Sequence, residues 1–487
     1  MTPTSARSPG EILAIDLGTL SVKVGVFDRT GALLALARRS YGMQRPRPGW
    51  VEQDPEEWWA AVVGAAAEVL QPVGADQLRA VCVGGQGPTL VLVDEAGRPT
   101  RPAISWSDQR SAPQRTRLAE QIGFDPSYSL VPRLSWLTEH EPQTVSASRW
   151  ALQAWDFVAF RLGGHAAAST IAGDVVWRTE WLDASGLDDA ARRLLPIHVD
   201  AAVAYAQTAG RWGAQLGLPD GIPIVGGVND GIGSLIGAAG TALGRATDPG
   251  GAAGGLALVW NTPVSATGVD CWPGWLPGTS ILGGAFAAGG SAVDWWAAAT
   301  GGDVDTVLRA AEQAPPGAGG LVFLPFLAGE RNPLWDAEAR GAFLGLSFDH
   351  GPTHLARAVV ESSGYSLRLL TDALASAGAT YEELRVSGGQ AQSRFWNQVK
   401  ADVLGCVVAV PHVSEAALMG DAICAAVGAG FYADTVSAGE SMVRIVERLN
   451  PSPATRGLYD SLFGVYRDAY TALKPLSARL GSPPTGS

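Results

Sequence analysis

Asp16 ends an apolar run, Ile12-Leu13-Ala14-Ile15, and Leu17-Gly18-Thr19 follow at once. A carboxylate in that place can hold a divalent cation or one of its waters. Gly18 lets backbone N–H groups approach an anion closely, and Thr19 and Ser21 add hydroxyl donors. Together these types suit the terminal phosphates of a nucleotide. Beyond them the alternation Val22, Val24, Val26 closes on Asp28. Period-two patterning on both sides of a Gly-containing break reads as a β-hairpin over 12–28, with Asp16 at its tip. No Lys follows a Gly in this chain, so there is no P-loop. Lys23 reads as a solvated charge on the strand flank. A hairpin with a merely polar tip is the plain alternative, and the rest of the chain must decide.

The elements that would hold this tip follow over 12–94. A third strand reads over 33–39. A helix starts at Asp54-Pro55-Glu56-Glu57, with Asp54 as N-cap and Pro55 in the first position, and runs to about residue 70. Strands read over 78–83 and 89–94. Residues 113–220 read as mostly helical with tight turns. An apolar strand over 222–228 then leads into Asn229-Asp230-Gly231 and a helix over 232–239. A Gly-rich zone, 250–255, precedes a strand over 256–260, which places a domain boundary near 240–250. The second half has a long amphipathic helix over 353–377, with Leu355, Val359, Leu367, Leu370 and Leu374 at helical spacing. A strand over 384–387 ends in Gly388-Gly389. A helix over 393–404, a strand over 407–410 and a helix over 416–429 follow. Residues 440–475 read as a terminal helical extension, and the Pro483-Pro484 end as a frayed tail. Each half opens with a Gly-turned β-ribbon and returns to helices.

Composition narrows the class. A chain of 487 residues exceeds what one core usually holds, so two domains are expected. Hydrophobic residues make up 47% and charged residues 17%, the balance of a well-buried enzyme. The net charge of −12 disfavours nucleic acid or an anionic membrane as partner. Cys82, Cys271, Cys406 and Cys424 form no CxxC pair and fit a reducing cytosol. The N-terminus carries no apolar signal segment, no apolar run reaches membrane-spanning length, and the histidines have no metal-ligand spacing.

Six segments stand in order: GWVEQDPEEWW (49–59), RPAISWSDQR (101–110), LSWLTEHEP (134–142), FLPFLAGERNPLWDAEARGAFLGL (323–346), GAFLGLSFDHGPTHLARAVVE (341–361) and SGGQAQSRFWNQVKAD (387–402). This ordered set resembles the FGGY carbohydrate kinases of the actin/hexokinase-like ATPase superfamily, over roughly residues 10–435. The resemblance implies an α/β chain of two ribonuclease H-like domains with mixed sheets around a central cleft. It implies an N-terminal domain over 10–245 for acceptor, base and phosphate hairpin. A nucleotide domain follows over 246–435, and a helical extension and tail over 436–487. Asp16 and Asp230 would then line one wall and Gly389 the other.

The resemblance also assigns roles. Asp230, in PIVGGVNDGIGS, matches the family's catalytic base. Such a carboxylate takes the proton of a sugar hydroxyl as it attacks the γ-phosphate; the other expectation is that Asp230 caps the helix beginning at Gly231. Asp16 matches the Asp of the phosphate hairpin and would order Mg²⁺ and its waters, with Gly18 and Thr19 beside it. Gly388, Gly389 and Ser393 resemble the adenosine-contacting turn, and Gly251, Gly290 and Asp294 fall on the nucleotide side. Gln86, Trp106, Asp108 and Tyr128 fall on the acceptor side, together with Asp230.

Departures from the family pattern bear on substrate and rate. Xylulokinases carry Met-His in the first loop and glycerol kinases Arg-Glu, where this chain has Gly87-Pro88. The smaller loop should leave room for a longer or bulkier acceptor. The Thr-Ser of the second phosphate turn is Ala252-Ala253 here, and Leu130 and Arg133 replace a small residue and a Lys. The expected activity is ATP- and Mg²⁺-dependent phosphorylation of a small sugar or polyol, a ketose such as a pentulose first. The competing expectation is a catalytically silent sugar or nucleotide binder on the same fold. A cytoplasmic location follows, and a homodimer stays open.

Overall fold

The computed structural model describes residues 10–123, 125–126, 128–171, 176–261, 263–274 and 278–481. The first nine residues and the tail beyond 481 lie outside the described residues. The chain forms two compact units, one of residues 1–237 with 417–442, the other of 238–416 with 443–487. The single boundary expected near 240–250 is therefore one of three crossings. The two elements Ala416–Gly428 and Thr435–Met442, expected in the second domain and the extension, belong almost wholly to the first unit.

In the first unit the apolar alternations produce the hairpin Glu11–Leu17 and Ser21–Asp28, with Asp16 opposite Lys23 across the ladder. The six-stranded sheet runs Ala204–Gln207, Pro223–Val225, Leu78–Gly85, Glu11–Leu17, Ser21–Asp28, Leu33–Ser40. The central strands Glu11–Leu17, Leu78–Gly85 and Pro223–Val225 are parallel, and the flanking pairs are antiparallel. Their Leu, Ile and Val side chains pack against the helix Pro55–Leu70, which starts as expected, with the Asp54 side chain accepting from Glu56 N–H. The strand Leu90–Val93 leaves this sheet. It joins Glu52–Gln53, Ala103–Ile104 and Trp150–Gln153 in a separate four-stranded sheet. The stretch read as helical, 113–220, also holds the strands Ala167–Thr170, Ile197–Asp200 and Ala204–Gln207.

The second unit repeats the plan. From Ser280–Phe286 its sheet continues through Gly254–Trp260, Ala246–Asp248, Glu383–Val386, Val407–Pro411 and Ile445–Leu449, with Asp270–Pro273 added outside. The sequence of pairings is antiparallel, antiparallel, parallel, parallel, antiparallel, the same as in the first sheet read from Leu33–Ser40. The long helix Pro352–Ser376 supplies Leu367, Leu370 and Leu374 to the core over this sheet. Residues 440–475, read as a terminal helical extension, hold the strand Ile445–Leu449 before the helix Arg456–Gly481.

Candidate active site

Three strand ends of the first sheet converge on Asp16. Its neighbour across the parallel ladder is Gly84, and Gly85 bridges to Asn229 in the loop after Pro223–Val225. Asn229 Oδ1 accepts from Ile232 N–H at 2.9 Å and so caps the helix Asp230–Gly237. The cap expected of Asp230 thus falls to its neighbour. Asp230 itself accepts only from Gly231 N–H, at 2.8 Å through Oδ1. Its carboxylate reaches the surface of the unit, and its other oxygen has no protein partner among the described residues. Crowding by surrounding protein, and then the negative charge of Asp16, raise its pKa from 3.8 to about 7.

Asp16 is buried. Its Oδ2 takes Lys23 Nζ at 2.8 Å, while Oδ1 has no hydrogen-bond partner among the described residues. Lys23, expected to be a solvated edge charge, is instead an ion-pair partner inside the site, 21% exposed. The orphaned Oδ1 fits a divalent cation or its water. Among the described residues no group of three or more His, Cys, Asp and Glu is placed to hold a metal. Asp16 would therefore contribute one carboxylate and leave the other positions to phosphates and water, a common arrangement for Mg²⁺. A second buried acid escaped the sequence reading. Asp421, on Ala416–Gly428, puts an Oδ1 that has no partner among the described residues directly over Gly84, where a Cβ would lie 2.1 Å from it. Burial, then the charge of Asp16, push its pKa well above the ordinary range. The available signal was a lone carboxylate in an otherwise apolar helix, AALMGDAICAAVG.

Around the hairpin tip two of the acceptor-side candidates, Gln86 and Trp106, join one network. Gln53 Nε2 donates to the Thr19 carbonyl at 2.7 Å, and Gln86 Nε2 to Gln53 Oε1 at 2.8 Å. Trp106, 45% exposed, donates through Nε1 to Thr19 Oγ1 at 3.2 Å. Tyr41 donates to the carbonyl of Gly18. Gln86 is buried, and its Oε1 has no partner among the described residues. Tyr128 lies nearby in sequence and is 38% exposed.

Two expectations need correction here. Asp108 does not present its carboxylate to a sugar. It is buried and spent on Val51 N–H, Arg110 N–H and the Arg110 guanidinium, which lies over the Trp50 ring. Nor does Gly87 leave space. The Trp155 ring fills it, with Cζ3 2.7 Å from where a Cβ on Gly87 would sit. Arg133 donates to the Trp106 carbonyl at 2.8 Å and so braces the exposed indole.

In the second unit the nucleotide-side candidates meet at three turns. Gly388, at φ +68°, passes the 249–250 turn so closely that a Cβ would lie 2.4 Å from the Pro249 carbonyl oxygen. Gly290 N–H and Gln390 Nε2 both donate to the Gly251 carbonyl at 2.9 Å. Gly389 precedes the short turn Gln390–Gln392. Ser393 uses its hydroxyl as the N-cap of Arg394–Leu404, accepting from Trp396 N–H at 3.2 Å. Asp294 is exposed on Gly290–Thr300.

Comparison with known proteins bears on both units. The family model "FGGY family of carbohydrate kinases, N-terminal domain" matches residues 11–237, and its C-terminal counterpart matches 258–429. A xylulose kinase of Escherichia coli (strain K12) is 31% identical over 422 residues, covering 81% of this chain and 84% of its own. A glycerol kinase of Methylibium petroleiphilum is 32% identical over 475 residues, covering 87% and 92%. The crystal structure of a xylulose kinase from Rhodospirillum rubrum superposes with a TM-score of 0.82 at 26% identity, over 96% of this chain and 99% of that one.

Proposed function

The chain belongs to the FGGY family of carbohydrate kinases, phosphotransferases acting on a sugar hydroxyl, and from that premise we propose that it transfers the γ-phosphoryl group of ATP to a small ketose, a pentulose first among them. Asp230 takes the proton of the acceptor hydroxyl as its oxygen forms the new bond to phosphorus and the bond to the ADP oxygen breaks. Asp16 holds Mg²⁺ or its waters. When bound, that cation offsets the negative charge of the phosphates. Lys23 steadies the Asp16 carboxylate and adds a positive charge beside it. Gln86 Oε1, lacking a protein donor, accepts a sugar hydroxyl, and the faces of Trp106 and Tyr128 cover C–H surfaces. The glycine turns of the second unit take the nucleotide.

The observation that carries this reading is the division of labour at 229–230. Asn229 satisfies the helix, which leaves Asp230 beside Asp16 with an open oxygen and a raised pKa. The same pair favours turnover over a silent binder. Relatives named as a xylulose kinase and as a glycerol kinase are 31% and 32% identical, so the acceptor is argued from the loop. Gly87-Pro88 offers no charged or imidazole group, and Trp155 closes the space behind it. The expected acceptor is a small pentulose other than D-xylulose, and not glycerol.

A coupled ADP assay over pentuloses, hexuloses, glycerol and other polyols tests this. No turnover with any of them would overturn the kinase reading, and glycerol or D-xylulose as best acceptor would overturn the loop argument. Asp230→Asn should lose at least about 10²-fold in turnover, the usual scale for a positioned base, while binding ADP unchanged. Near-wild-type turnover in that variant would remove Asp230 from its role.

A further inference from the structure

Beneath the glycine turns of the second unit lies a fully buried ion pair. Lys400 Nζ, from Arg394–Leu404, stands 2.6 Å from Asp248 Oδ2 at the end of Ala246–Asp248, and both side chains are essentially without solvent contact. The ammonium also lies 5.8 Å from the centre of the Trp396 ring. Asp248 grips two turns at once. Its Oδ1 accepts from Gly250 N–H at 2.9 Å, and its carbonyl accepts from Ser387 N–H at 3.0 Å. The carbonyls of the first turn are tied down in series. Gly250 O accepts from Gln390 N–H, Gly251 O from Gly290 N–H and Gln390 Nε2, and Ala252 O from Gly289 and Ser291 N–H. The N–H groups of Gly251, Ala252 and Ala253, on exposed residues, have no protein acceptor among the described residues. Successive free N–H groups over bound carbonyls make an anion-binding concavity. They also supply donors where Ala252-Ala253 has no hydroxyl.

We propose that the Asp248–Lys400 pair is a positioning device for nucleotide phosphate, Lys400 fixing Asp248 so that Asp248 holds Gly250 and aims the 251–253 N–H groups. The proposal rests on reading these turns as the nucleotide side. A buried ion pair is poor evidence of stabilisation, because well-packed apolar replacements are often neutral or better. Its bonds here point to orientation instead. Both Asp248 oxygens are engaged, one by the cation and one by the turn.

The test separates the two roles. The double variant Asp248→Leu with Lys400→Met removes both charges and the acceptor for Gly250 N–H while keeping side chains of similar shape. It should melt near or above wild type, yet bind ADP about tenfold more weakly by calorimetry. KM for ATP should rise by a similar factor, with KM for the acceptor within about twofold. Asp248→Asn with Lys400→Met restores an acceptor for Gly250 without the cation that fixes it, and should recover only part of the ADP affinity; full recovery would overturn the role of Lys400. Should the first variant fail to fold, Gln390→Ala cuts the same turns apart without touching the pair, and should show the same selective rise. Wild type that binds ADP, with folded variants that bind it equally well, overturns the positioning role alone. Wild type that binds no ADP removes the nucleotide reading of these turns, and this inference with it.

Discussion

At the scale of single residues the site is a set of carboxylates made unequal by their surroundings. As the base proposed above, Asp230 acts in its anionic form. With its pKa raised from 3.8 to about 7, that form is lost as pH falls through 7. A plot of log kcat/KM for the acceptor should therefore fall with unit slope below about pH 7. A limb near pH 4 would show that the essential base titrates as an ordinary carboxylate. The sign for stability is opposite to that of a salt-bridged acid. The folded chain keeps a proton that the unfolded chain releases, so this group's contribution to stability declines as pH rises from about 4 to about 7. Asp16→Ala should lower turnover and shift the Mg²⁺ titration to higher concentration; full activity with an unchanged titration would reduce Asp16 to a hairpin residue. Asp16 was legible in the sequence because apolar runs on both sides mark it as a strand end. Asp421 was not, because only the fold carries the helix Ala416–Gly428 back over Gly84. Lys23 was misread because period-two patterning puts it on a strand flank without saying that Asp16 stands opposite.

At the scale of elements, the patterned segments formed as read, and the failures share a cause. Pro55–Leu70, Pro352–Ser376 and Arg394–Leu404 announce themselves by caps and by 3.6-residue spacing. Ala204–Gln207 and Ile445–Leu449 are four- and five-residue edge strands. With one side unpaired and exposed positions mixed in, such strands have no run long enough to carry a period. The acceptor loop fails differently, since a neighbour distant in sequence, Trp155, decides its volume. A side chain at 87 must displace that ring. Gly87→Ala is expected to cost roughly 1–3 kcal/mol through overpacking and to lower acceptor kcat/KM several-fold. Trp155→Leu in the same chain should recover part of both losses, giving a coupling energy in the double-mutant cycle. Additive effects would mean that the ring does not set the loop.

At the scale of the whole molecule, two sheets share one order of pairings, and the chain passes between units three times. The first unit is closed by residues 417–442, whose Leu418 packs on the hairpin at Gly25 and whose Gly420 lets the helix meet the backbone of Asp230–Gly237 at Gly233. Neither contact is available to a chain ending at 237. On the ribosome, domains generally fold in the order they are made. This chain cannot follow that order, because the unit begun first is completed only after residues 238–416 have emerged, and the second unit waits in turn for 443–487. Stalled nascent chains ending near 250 should thus be as protease-sensitive as unfolded chain, with protection of the hairpin appearing only once residue 442 has left the tunnel. Protection at 250 would mean that the hairpin's unit folds without its closing helix. The threading that builds the first unit also sets its timing: Asp16, among the first residues synthesised, is among the last to be shielded.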